Sequence, residues 1–138
     1  MKTVWTNGCF DILHRGHIEM FKFAKSLGDE LIVGLDTDEK VKEAKGDDRP
    51  FNTLADRELV ISSIRYVDKT FSFDSQKQLE HLIKSIKPDI LVVGSDWEGK
   101  YVVGAEYAKD VIFFPRVDGY STTKELKNDN IRWYRWYN

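Results

Sequence analysis

A chain of 138 residues suffices for one domain that buries roughly 70% of its unfolded surface and is too short for two ordinary ones. Its 21 Lys and Arg against 23 Asp and Glu give a net charge of −2, which offers no general attraction to nucleic acid or an anionic membrane, so any basic site has to be local. The single cysteine, Cys9, excludes an intramolecular disulfide, and the absence of a long apolar run or a leader-like start reads as a cytoplasmic protein.

The first apolar residues, Val4 and Trp5, form a short strand that leads through Thr6–His17 into an amphipathic helix beginning near His17. Ile18, Met20, Phe21, Phe23, Ala24 and Leu27 recur at helical spacing, and Gly28 follows as the residue after the helix end. Leu31–Leu35 is a continuous apolar run of strand length, as a parallel strand covered on both faces requires. Thr37 to Glu39 opens a short helix, and 44–52 is a polar loop punctuated by Gly46 and Pro50, read as mobile and functional. Thr53 caps a helix running to about Arg65, with Leu54, Leu59, Val60 and Ile64 as its apolar positions.

A third strand over 67–71 precedes a helix opened by Ser75, with Leu79, Leu82, Ile83 and Ile86 on one face and Pro88 after its end. Ile90–Val93 is the clearest buried strand, 104–109 a short helix, and Val111–Phe114 a fifth strand before Pro115. This alternation predicts an α/β, Rossmann-like, doubly wound domain over 1–127, a parallel five-stranded sheet with helices on both faces. In such a sheet the ligand crevice lies beyond the carboxyl ends of the strands, where the loops after Asn7, Val93 and Phe114 can meet. Residues 128–138 form an aromatic tail with Trp133, Tyr134, Trp136 and Tyr137 around Arg132 and Arg135. It suits packing onto the domain or a subunit interface better than stacking on nucleic-acid bases.

The stretch Gly8-Cys9-Phe10-Asp11-Ile12-Leu13-His14-Arg15-Gly16-His17 carries the chemistry. Two imidazoles three residues apart, at a helix start with unpaired N–H groups and a partial positive charge, suit a phosphate. Gly16 allows an anion close to the backbone, and Gly8 allows a sharp turn off the strand. The residues alone leave a second reading, in which the histidines cap the helix. Arg116, Gly119, Ser121, Thr122 and Thr123 form a second candidate, a cation and hydroxyls at a turn that can hold phosphate oxygens. Cys9 lacks any acyl-transfer constellation, and His81 lies mid-helix among charged neighbours, on an exposed face.

His14-Arg15-Gly16-His17 resembles the H-x-G-H signature of the cytidylyltransferase-like nucleotidyltransferases. The resemblance reaches to about Leu126 and points to two relatives. With glycerol-3-phosphate cytidylyltransferase the chain shares Ile64–Asp68, Asp96–Lys100 and the Pro115–Lys124 segment; with heptose-phosphate adenylyltransferases it shares Lys45-Gly46…Arg49-Pro50, Lys87–Leu91 and Val102–Glu106. The resemblance implies attack by a substrate phosphate on the α-phosphate of a nucleoside triphosphate, with release of pyrophosphate.

By that resemblance His14, His17, Lys45 and Arg116 are the catalytic set. Gly8, Cys9, Phe10, Asp11, Gly16, Asp96, Trp97, Gly119, Tyr120 and Ser121–Thr123 contact the nucleotide, and Arg57, Lys42 and Lys77 contact the acceptor phosphate. Asp11 either fixes its loop through an Asx-type hydrogen bond or meets a Mg²⁺ ion that accompanies the triphosphate. Val93-Gly94-Ser95-Asp96-Trp97 and Arg116, which depart from the adenylyltransferase pattern, favour CTP by that resemblance, with glycerol 3-phosphate the best single acceptor. ATP with a heptose or related sugar 1-phosphate is the alternative, and a non-catalytic nucleotide-binding subunit a third. A homodimer that engages neither nucleic acid nor membrane is implied.

Overall fold

The computed structural model describes residues 1–115. They form a five-stranded, wholly parallel sheet in the order β3-β2-β1-β4-β5, built from β1 (Thr3–Gly8), β2 (Glu30–Asp36), β3 (Lys69–Phe73), β4 (Ile90–Gly94) and β5 (Asp110–Phe114). The helices are α1 (Arg15–Ser26), α2 (Asp38–Lys45), α3 (Leu54–Ser62) and α4 (Gln76–Ile86). The doubly wound α/β expectation holds for the described residues; β2 to β5 lie within two residues of their expected bounds, and β1 runs on past Trp5 to Gly8. The 104–109 segment is the exception, reduced to a single 3-10 turn over Ala105–Tyr107. None of these helices is long and apolar enough to cross a membrane.

β1 is central, so Val4, Trp5 and Thr6 are all buried although their side chains alternate between faces. Val4, Leu31, Val33, Leu35 and Ile90 pack under α1 and α3 with Phe21, Ala24 and Ile61, while Trp5, Ile32 and Leu91 pack under α4 with Leu79 and Ile83. The Thr6 hydroxyl satisfies itself inside this core by donating to the Val92 carbonyl at 2.8 Å. At the amino ends of the strands two aspartates hold the frame. Asp68 accepts from Lys25 Nζ and the Leu31 N–H at 2.6 and 2.8 Å, and Asp89 accepts from the Thr3 N–H at 2.8 Å.

Four local expectations change. α1 begins at Arg15, two residues early, because His14 serves as its N-cap. Gly28 does not adopt a left-handed conformation; it is required because a Cβ there would lie 2.8 Å from the Lys2 carbonyl oxygen. The turn off β1 is made by Phe10, at φ 50°, rather than by Gly8, whose missing side chain makes room for the Phe10 ring. α3 stops at Ser62 and shows the core Arg57 and Ile61, leaving Leu59 67% and Val60 50% exposed.

That last correction is measurable by urea unfolding. Ile61→Ala is expected to cost about 2–5 kcal/mol, because a cavity opens under α3. Leu59→Ala should stay within about 0.5 kcal/mol of the parent; reversed magnitudes would restore the periodicity-based face.

Candidate active site

The site lies at the carboxyl ends of β1, β2 and β4, where three chain segments converge. His14, in extended conformation, caps α1 by accepting the Gly16 N–H at Nδ1 (3.1 Å), and His17 reaches back to accept the His14 N–H at its own Nδ1 (3.3 Å). This reciprocal arrangement is a capping box in which imidazoles stand in for the usual hydroxyl and carboxylate. The two rings stack with centroids 3.9 Å apart and planes 26° from parallel. Phe10 meets the His17 ring edge-on at 5.5 Å and packs on Phe21 at 5.1 Å, so the left-handed turn at Phe10 fixes where the imidazole stands.

Capping and phosphate binding prove compatible. With Nδ1 of each ring accepting a backbone N–H, each neutral imidazole carries its proton on Nε2 as a donor. The Gly16 N–H is engaged by His14, so the donors move from the helix backbone, where they were expected, to the rings. Burial first, then electrostatic interaction with His14 and Lys45, which disfavours a second proton here, lowers the His17 pKa to about 3. His17 is therefore an uncharged N–H donor at neutral pH, suited to an anion without first needing a proton.

Lys45 is the last residue of α2, and its ammonium acts on both His17 and Cys9. Lys42 lies about one turn earlier, and both lysines are exposed. Cys9 is buried, and desolvation pushes its thiol pKa up, so it stays protonated and unreactive. The side chains of Cys9 and Phe10 belong to the interior rather than to a nucleotide surface.

Asp11 is a structural tether. Its buried carboxylate accepts from the Phe51 N–H (2.6 Å), the Asn52 N–H (2.8 Å) and Arg49 Nε (3.3 Å), and Asn52 Nδ2 donates to the Asp11 carbonyl at 2.7 Å. The bonds are long-range rather than the local Asx turn. They anchor the far end of the 44–52 loop, whose 44–48 portion is exposed. Neither Arg49 nor Asn52 was singled out from the sequence; Arg49 lay within a shared motif, but nothing local marks a partner some forty residues away.

Arg57, expected at the acceptor phosphate, is 1% exposed, and its guanidinium is engaged within the protein. Lys77 is exposed in the first turn of α4. Asp96 and Trp97 sit on a 3-10 turn over Ser95–Trp97 directly after β4, with Trp97 50% exposed and Lys100 Nζ 5.9 Å from its ring centroid. Arg116, Gly119, Tyr120, Ser121, Thr122, Thr123 and the aromatic tail lie outside the described residues.

The cytidylyltransferase-like family model matches residues 5–129. The chain belongs to the cytidylyltransferase-like family. It is 52% identical over 120 residues to the bifunctional protein HldE of Campylobacter fetus, and 49% identical over 127 residues to the protein of the same name from Helicobacter hepaticus. These matches cover 87% and 92% of this chain but only 26% of each relative, so the chain spans about a quarter of their length. Among solved structures, a lipopolysaccharide core biosynthesis protein from Thermoplasma volcanium superposes with a TM-score of 0.66 at 29% identity, covering 88% of this chain and 99% of that one. A bifunctional NMN adenylyltransferase/ADP ribose pyrophosphatase from Francisella tularensis shares the fold, with a TM-score of 0.69 at 14% identity over 92% of this chain and 41% of that one.

The protonation state is open to direct measurement by ¹⁵N-detected NMR of the imidazoles. At pH 7 the His17 resonances should report neutral Nε2–H, with no titration until well below pH 5. Because the folded pKa is depressed from the ordinary 6.5, only the unfolded chain gains this proton below about pH 6.5, so His17 removes stability as pH falls toward 3. A midpoint near 6.5 would show that the ring is solvated and its proton not fixed by the cap.

Proposed function

We propose that the domain transfers AMP from ATP to a heptose or related sugar 1-phosphate, forming an ADP-sugar and releasing pyrophosphate. The reaction class is supported above all by one observation: His14 and His17 form a stacked pair of Nε2–H donors at the start of α1. The choice of ATP over CTP is supported by the identity to the HldE proteins and by Lys45-Gly46…Arg49-Pro50, in which Arg49 holds to Asp11. It takes precedence over the expectation of CTP, drawn from Val93–Trp97 and Arg116, and of glycerol 3-phosphate as acceptor.

In this mechanism an oxygen of the acceptor phosphate attacks the α-phosphorus of ATP as the bond to the bridging oxygen of pyrophosphate breaks. The protein contributes placement and charge stabilisation rather than covalent chemistry. The Nε2–H groups of His14 and His17 donate to triphosphate oxygens and follow the charge that develops on the transferring phosphoryl group. The cap orients both rings beforehand, so little reorganisation accompanies the step. Lys45 adds a mobile point charge shared between the two reactants, where a compact ammonium suits several oxygens in turn.

Among the described residues no cluster of three His, Cys, Asp or Glu could hold a metal ion, and the Asp11 carboxylate already accepts three hydrogen bonds. The Mg²⁺ in this proposal accompanies the triphosphate and would neutralise part of its charge.

Pyrophosphate release in the presence of Mg²⁺ tests the assignment. ATP with a heptose 1-phosphate should support turnover, and CTP with glycerol 3-phosphate should not; the opposite pattern would return the domain to the cytidylyl reading. His17→Ala should lower kcat by about 10²–10³-fold, and Lys45→Ala should reduce transfer far more than Lys42→Ala. Full turnover in a folded His17→Ala protein would remove that ring from the chemistry.

A further inference from the structure

The Arg57 guanidinium joins three segments at the point where the β1–β2 ladder, whose last pair is Gly8 with Leu35, comes to an end. Nη1 donates to the carbonyls of Cys9 (2.9 Å) and Asp36 (2.8 Å), Nε donates to the carbonyl of Asn52 (3.1 Å), and Nη2 donates to Asp38 Oδ1 at 2.7 Å. Cys9 belongs to the loop that ends in His14 and His17. Asp36 and Asp38 flank the start of α2, whose last residue is Lys45, and Asn52 closes the loop after it. The side chain is wholly buried, while Asp38 keeps 32% of its surface.

We infer that Arg57 is a positioning residue, whose fixed fork sets the distance between the histidine-bearing loop and the helix that carries Lys45, without itself touching either substrate. The inference rests on the proposed phosphoryl chemistry only for its kinetic consequence. Asp11 adds a second tie between the same two loops, through Phe51 and Asn52. Arg57 extends the connection to α2 through Asp38. A planar guanidinium can address four acceptors in different directions, whereas an ammonium on a flexible stem cannot reproduce that fork.

Arg57→Lys retains the charge and breaks the geometry, and Asp38→Ala leaves the guanidinium on its carbonyls while releasing α2. Steady-state kinetics with both substrates and amide hydrogen exchange on the free protein distinguish the roles. In Arg57→Lys, exchange over 9–11 and 46–53 should accelerate at least about tenfold while β1 and β4 keep their protection. Its kcat should fall on the order of 100-fold with acceptor KM nearly unchanged, since misplacement by about 1 Å has that effect. Asp38→Ala should move kcat the same way by less.

A raised acceptor KM with kcat retained at saturation would overturn the inference in favour of direct phosphate contact. So would unaltered exchange, or activity falling only with the folded fraction. If the parent protein turns over no tested substrate pair, the functional reading fails separately, and the exchange data still decide whether Arg57 joins the loops.

Discussion

A single buried guanidinium holds the carboxyl edge of this sheet in order. Loops that leave parallel strands have carbonyls with no ladder partner, and burying them requires donors from elsewhere. Arg57, itself buried, supplies donors to three such carbonyls and to one carboxylate. Removing one partner from such a cluster leaves the others desolvated and unpaired, which is far more costly than a surface ion pair is favourable. The loops on either side can therefore be irregular in sequence and still fixed in space.

The histidine pair depends on that fixed frame. A helix start needs acceptors for its first N–H groups, and His14 and His17 provide them through Nδ1. The same bonds decide the tautomer, so the group that stabilises the helix end is also prepared as a donor. Phe10 takes an unfavourable left-handed conformation to place its ring against His17, and the absent side chain at Gly8 makes that placement sterically possible. Local structure and chemistry here are two consequences of one arrangement, which is why capping and phosphate binding need not be rivals.

The sheet was legible because its signals are local: apolar runs of strand length, Thr and Ser before helices, Pro and Gly after them. Thr37, Thr53 and Ser75 all cap as their sequence context implies. The orientation of α3 was not legible, because periodicity assigns apolar residues to the core while an arginine occupies the buried stripe and Leu59 faces water. Arg57 was noticed, but its charge suggested a ligand; that its acceptors would be backbone carbonyls from distant segments has no sequence signature. Asp11 shows the same limit, since both readings considered for it were local or ionic and its partners lie about forty residues on.

Shared motifs also mix two kinds of residue. Asp68 and Asp89 belong to stretches held in common with nucleotidyltransferases, yet both sit at the amino ends of the strands, opposite the crevice, where each accepts a backbone N–H and an ammonium. They preserve the frame. His14, His17 and Lys45 stand at the other end, where the frame is put to use. A motif match therefore carries the fold and the reaction class together. It does not carry the choice of nucleotide, because stacking on an aromatic face, such as the exposed Trp97 on the Ser95–Trp97 turn would offer, suits one base as well as another. Base preference has to come from polar groups that read the base edge. That is why overall relatedness to the HldE proteins weighs more here than the presence of a tryptophan.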